Sequence, residues 1–307
     1  MRWIKHGLVW RPQGNSAWAR THATCPTPVR LRDGSVRVFV QCRDENNVGR
    51  IGYVDLDPQD PRKVVGESRA PALDVGSPGA FDDNGVFQTS IVTLPDGRLY
   101  LYYVGFELCH HIRYRLLTGL AISEDGGASF RRWGGVPILE RSTVEPHFRC
   151  GTFVQRSSKG FRMWYVAGGS WEVIEDKSMP IYDIRYLESP DGIRWPEQGR
   201  VVLPVDIRVE HGFGRPYVLE GPSGYRMHYS IRRRSPARYR MGYATSHDGL
   251  HWQRRDDEVG LDTSEAPWEN DSVEYGAEFT CGGKTWLLYN GNDFGRDGFC
   301  IAERVEL

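Results

Sequence analysis

The sequence has almost no net charge, no long apolar run and no metal-type spacing of cysteine or histidine, and each absence removes a class of function. Lysine and arginine number 39 against 40 acidic residues, a formal net charge of −1. No field of one sign gathers polyanions, so a general nucleic-acid binder or a protein of anionic membrane surfaces is not expected. Mean hydropathy is −0.52, and nothing approaches the roughly 20 apolar residues of a membrane span. Met1 to Pro12 lacks an apolar stretch of about 7–15 residues such as a secretory signal needs, so a cytoplasmic location is the default expectation.

Cys25, Cys42, Cys109, Cys150, Cys281 and Cys300 lie far apart with no Cys-x-x-Cys pair. That spacing predicts reduced thiols packed as small hydrophobes. Among His22, His110, His111 and His147 no pair has the i, i+4 spacing of a helical zinc site, and neither a metal nor another cofactor is expected. Helical periodicity is scarce as well. The one stretch of any length, Glu107 to Leu120, is interrupted by His110, His111, Arg113 and Arg115, and His110-His111 is expected in an exposed insertion.

What the chain does have is turns and aromatics. Glycine numbers 35, above the ~7% of average proteins, and 10 Trp, 15 Tyr and 12 Phe make 12% aromatic. Ser35-Val-Arg-Val-Phe-Val-Gln41 alternates after Asp33-Gly34, and Arg98-Leu-Tyr-Leu-Tyr-Tyr-Val104 follows Asp96-Gly97, each as the second arm of a hairpin. The same grammar recurs at Gly160–Val166, Gly224–Ser230 and Gly283–Tyr289. A second repeat, Ser-x-Asp-Gly, ends the strands at Ser123, Ser189 and Ser246, 66 and 57 residues apart, and an aromatic follows each time at Phe130, Trp195 and Trp252. Long-period copies of one strand favour radial stacking over a sandwich or jelly roll, whose turn signals come every 8–12 residues or so without such copies. The expectation is an all-β, five-bladed β-propeller in a single domain over 1–307, with blades at about 15–57, 81–139, 144–204, 207–257 and 268–307.

With this grammar, with Tyr243-Ala-Thr-Ser-His-Asp-Gly-Leu-His-Trp252 and with Trp286-Leu-Leu-Tyr-Asn-Gly-Asn292 followed by Gly298-Phe-Cys-Ile-Ala302, the chain resembles the five-bladed propeller superfamily of glycoside-active enzymes that includes arabinanases, invertases and β-mannoside phosphorylases. The resemblance implies an active site at one end of a central channel, fed by the residues that start each blade. It implies acid and base carboxylates there, for which Asp83, Glu145 and Glu210 are the candidates. Asp83 would be base or nucleophile and Glu145 the proton donor, with Glu210 sharing or tuning that role. Arg20, His22, His147, His211, Arg215, Asp271 and Tyr275 are the candidate substrate contacts, and Trp171, in a long loop running to about Pro180, is a candidate stacking platform.

One departure shapes the functional expectation. Asn15–Thr24 holds no carboxylate, whereas arabinanases and invertases carry a catalytic Asp on the first blade. Arg20, His22 and Arg215 instead suit a substrate with a carboxylate or phosphate. The expected partner is a carbohydrate or sugar phosphate, without nucleic acid or membrane and with the oligomeric state left open. The expected activity is glycosidic-bond cleavage, with two alternatives: transfer or phosphorolysis on a sugar phosphate or nucleotide sugar, and non-catalytic carbohydrate binding. Surface-polysaccharide metabolism is a fitting context. Arg232-Arg-Arg234 is expected in a solvated hairpin loop.

Overall fold

A computed structural model describes residues 1–305. The fold is all-β: among the described residues the only helical pieces are a turn of 3₁₀ helix at Asp256–Glu258 and a four-residue turn at Asn292–Gly295. Strand β1 (Arg2–Trp10) is followed by an antiparallel meander of β2 (Thr21–Arg30), β3 (Val36–Arg43), β4 (Gly49–Leu56) and β5 (Val64–Glu67). A second meander holds β6 (Val86–Thr93), β7 (Leu99–Leu108), β8 (Tyr114–Ser123) and β9 (Arg131–Arg132). The third holds β10 (Phe148–Ser157), β11 (Gly160–Ile174), β12 (Lys177–Ser189) and β13 (Arg200–Leu203). The fourth holds β14 (Glu210–Gly221), β15 (Gly224–Arg233), β16 (Tyr239–Ser246) and β17 (Gln253–Arg254). The last holds β18 (Glu274–Cys281), β19 (Lys284–Asn290) and β20 (Phe299–Val305), and β1 returns to pair with β20 as its outer strand. The sequence pattern leaves residues 2–10 outside every blade; the structure gives them this place.

The first strands sit together. β2 packs on β6, β6 on β10, β10 on β14, β14 on β18, and β18 on β2. Single parallel pairings, Leu117 with Arg149 and Tyr182 with Gly212, stitch the second meander to the third and the third to the fourth.

The two sequence repeats interlock. In the Ser-x-Asp-Gly turns the Ser189 and Ser246 hydroxyls accept the N–H of Gly192 and Gly249 at 2.9 Å, and the Ser123 hydroxyl accepts that of Gly127 at 2.8 Å. A central-strand aromatic of one meander lands on the turn of the next. Tyr102 donates its hydroxyl to Gly192 O at 2.8 Å, and Trp164 donates its indole N–H to Gly249 O at 2.8 Å. At Gly127, φ is +83° and an added Cβ would lie 2.5 Å from the Phe39 ring, so left-handed backbone and close approach both call for glycine.

Each first strand also breaks register near its start: at Thr24/Thr27, Gln88/Ser90, Cys150/Phe153, Gly214/Tyr217 and Glu274/Ala277. Bulges re-aim side chains that strict alternation would send to opposite faces. Five at one level build the wall of a cavity.

Two expectations are corrected. Gly168 to Pro180 is a paired hairpin arm and not a long loop, with Trp171 opposite Pro180 and its tip at Glu175-Asp176. Arg232 is not in a solvated loop: β15 runs on to Arg233, and Arg232 is buried.

Candidate active site

A cavity of about 490 Å³ opens where the first strands begin, with the hairpin arm as one wall. Its floor carries two buried arginines with no carboxylate partner among the described residues. Arg215 donates to Tyr275 O at 3.0 Å, Thr27 Oγ1 at 3.2 Å and Thr89 O at 3.4 Å, and its Nε has no partner. Arg232 donates to the Tyr182 hydroxyl, its guanidinium lies 5.2 Å from the Tyr182 ring centre and 5.6 Å from that of Tyr239, and its Nε is also free. Unpaired buried guanidinium groups are costly unless an anion meets them.

The cavity holds one buried carboxyl group, Glu274, 1% exposed. Burial pushes its pKa well above the usual carboxylate range, against weaker opposition from the Phe294 N–H, Arg232 and Arg43. The shift is toward the protonated, uncharged acid. Phe294 donates its N–H to Oε1 at 3.1 Å, and Oε2 has no partner. Tyr275 beside it takes φ +56°, so two consecutive residues face one cavity.

His211 lines the same cavity and donates from Nδ1 to Pro180 O at 3.3 Å. Burial, and then the nearby Arg232 charge, lower its pKa to about 3. His22 is likewise lowered to about 3 by burial, Arg43 and Arg296. Both rings are neutral in the fold and charged in the unfolded chain below about 6.5. Their contribution to stability is present above that pH and is lost as pH falls toward 3. Glu274 works in the opposite sense, losing its contribution as pH rises, so the histidine effect is read by difference. His211→Asn is expected to flatten the fall in denaturant-unfolding stability between pH 7 and 5 by about 1–2 kcal/mol. An unchanged slope would show that the imidazole is not held neutral.

The structure brings together only part of the expected site. His211, Arg215, Asp271 and Tyr275 line the cavity. Arg20 and His22 line a shallow depression beside it. The three carboxylates expected to be catalytic do not meet there. Asp83 accepts the Gly79 N–H at 2.7 Å and the Asn84 amide, as a turn residue does. Glu145, 1% exposed, is consumed by Arg149 (2.6 Å), Arg185 (3.0 Å), the Tyr165 hydroxyl (2.7 Å) and the Gly199 N–H (2.9 Å). Glu210 is clamped by Arg254 at 2.6 and 3.0 Å in a separate recess. His147 also lies off the cavity wall, in the loop with Glu145. Trp171 packs behind the wall, 5.2 Å from the Phe148 ring and 5.8 Å from that of Tyr114.

Backbone strain marks the same place. Eight non-glycine residues among those described have positive φ: His22, Cys25, Asn47, Glu175, Asp176, Tyr275, Asp293 and Phe294. Six line the cavity or the depression, and Cys25 and Asp176 adjoin residues that do. Such conformations cost about 1–3 kcal/mol each and concentrate at functional sites.

Strand order and this cavity define an all-β fold shared with glycoside hydrolases of propeller type. The structure superposes on that of a glycoside hydrolase with a TM-score of 0.75 at 18% identity, over 99% of this chain and 92% of that one. A thermostable family-43 glycoside hydrolase superposes with a TM-score of 0.66 at 15% identity, over 95% and 91%. No family model matches the sequence. The chain belongs to the family of the uncharacterized protein Rv1502 of Mycobacterium tuberculosis, to which it is 35% identical over 98% of its own length and 99% of that protein's. A shorter likeness, 29% identity over 108 residues, covers 34% of this chain and 36% of a 1,2-β-oligomannan phosphorylase from Thermoanaerobacter.

Proposed function

We propose that this chain is a carbohydrate-active enzyme, a single five-bladed propeller over residues 1–307, that transfers a glycosyl unit to inorganic phosphate or runs that reaction in reverse. The observation that carries the proposal is a buried Glu274 with a free Oε2, its carboxyl shifted by burial toward the protonated form, in a cavity with two buried arginines that have no carboxylate partner among the described residues. Hydrolysis asks for two carboxylates, one to protonate the leaving oxygen and one to activate water or attack. Phosphorolysis needs one acid only, because phosphate is itself the nucleophile. A phosphate oxygen bonds to the anomeric carbon as the glycosidic C–O bond breaks, and the Glu274 proton passes to the departing oxygen. Products are a sugar 1-phosphate and a shortened glycan, and Glu274 regains a proton from solvent. Arg215 and Arg232 hold the phosphate, which suits the planar guanidinium. The partial likeness to an oligomannan phosphorylase supports this choice.

A second reading, hydrolysis of an acidic glycan whose own carboxylate sits on the arginines, is favoured by the structural relatives being named glycoside hydrolases. The two separate by phosphate dependence. Oligosaccharide panels incubated with the protein should yield sugar 1-phosphate only when phosphate is added, whereas reducing sugar released without phosphate establishes hydrolysis. Arg232→Met is expected to raise KM for phosphate at least about tenfold while KM for glycan moves less, as for a charge-assisted contact. Equal effects on both would remove Arg232 from the phosphate site.

A further inference from the structure

Beside the cavity lies the depression formed by Arg20, Thr21, His22, Arg43, Asn47 and the Asp293–Arg296 turn. Arg43, Asp293 and Phe294 line both recesses, so the two are contiguous. Three arginines face it, and none has a carboxylate partner among the described residues. Arg43 donates to Asn47 Oδ1 at 3.0 Å and Arg20 to Gly14 O at 2.6 Å. Acids share the lining but make no ion pair with these arginines: Asp44 is tied to Arg50 at 2.8 Å, and Glu45 and Asp293 are exposed, as Arg20 and Arg296 are. The recess at Glu210 differs, because there Arg254 is paired with both Glu210 and Asp256. Four of the positive-φ residues, His22, Asn47, Asp293 and Phe294, shape the depression. Phe294, 37% exposed, stands at the divide, its ring 5.7 Å from that of Tyr239 and 5.7 Å from the Arg43 guanidinium. An exposed aromatic at that position offers an apolar face to a sugar ring.

We infer that the depression is a second anion subsite, taking a carboxylate or phosphate carried by the glycan unit next to the one that reacts, with Phe294 against that unit's ring. This rests on the glycan reading of the main cavity, and it deepens that reading to a substrate with an anionic group outside the reacting unit. Arg20 and Arg296 are the ends of the clamp, and Arg43 bridges to the cavity.

The test is a titration of the full chain with inorganic phosphate, followed by 31P NMR and calorimetry, in wild type, Arg232→Met and the double variant Arg20→Ser/Arg296→Ser. Two phosphate sites are expected in wild type. The double variant should lose one of them and Arg232→Met the other, with each protein's melting temperature as the control for folding. A double variant that binds phosphate like wild type overturns the subsite, as does the absence of any binding to wild type. A single site lost only in Arg232→Met overturns the subsite and leaves the proposed function standing. A single site lost only in the double variant keeps the subsite and sinks the phosphate role of the cavity. Glucuronate and glucose 6-phosphate, each compared with glucose, then tell the carboxylate from the phosphate source. The preference of wild type for the matching anion over glucose should fall at least about tenfold in the double variant, as for loss of a charge-assisted contact.

Discussion

Glu274→Gln is expected to lower kcat by about 10²–10⁴ while leaving glycan binding within a few-fold, the span that loss of a positioned general acid produces. Gln keeps the volume and the acceptor that receives the Phe294 N–H, and it mimics the uncharged form that burial favours for Glu274. Stability should therefore move little. The loss should shrink for aryl glycosides with acidic leaving groups, because a phenolate departs with little help from a proton. The alkaline limb of the pH–rate profile, set by Glu274, should vanish in the variant. Full turnover in Glu274→Gln, or equal loss on good and poor leaving groups, would take the proton donor away from this residue.

Glu145→Gln should do the opposite, costing stability and not chemistry. The carboxylate is the shared partner of Arg149, whose side chain is 4% exposed, and of Arg185 at 16%. Arg185 keeps Asp183 at 2.8 Å, but Arg149 is left with carbonyl acceptors alone, Glu140 O at 2.8 Å and Pro196 O at 2.6 Å. Removing one partner of a buried pair costs about 3–5 kcal/mol, which for a chain of this size lowers the melting temperature on the order of 10 °C. Turnover per folded molecule should persist below the transition. A variant that melts like wild type but turns nothing over would return Glu145 to the active site.

These contrasting expectations for two glutamates show where the sequence is legible. Strands such as Val36–Arg43 and Leu99–Leu108 announce themselves by β-branched and aromatic runs after Asp-Gly turns. The Ser-x-Asp-Gly copies can be aligned because each is a local hydrogen-bonded unit. His211, Arg215 and Tyr275 can be picked because they open a blade. Glu274 escapes notice although it adjoins Tyr275: alternation puts neighbours on opposite faces, and only the bulge at Glu274/Ala277 turns both inward. Arg232 is misplaced because a run of three arginines looks solvated, and nothing local reveals that Tyr182, 50 residues earlier, will cover it. Glu145 draws attention for a sound reason, since a glutamate between Val144 and Pro146 is no turn residue. Whether it faces ligand or Arg149 and Arg185 depends on tertiary contacts that spacing does not carry.

The pairing of β1 with β20, Arg2 against Val305 and Trp10 against Phe299, has a consequence for how the chain reaches its native state. As it leaves the ribosome, each of the first four meanders can zip up from contacts close in sequence. The last sheet cannot be completed until its outermost strand, made before the other four meanders, finds β20. Contacts of that span are entropically slow to form, so this seam should be the late step in folding. In native-state hydrogen exchange, β1 and β20 should then open together, ahead of the rest of the fold.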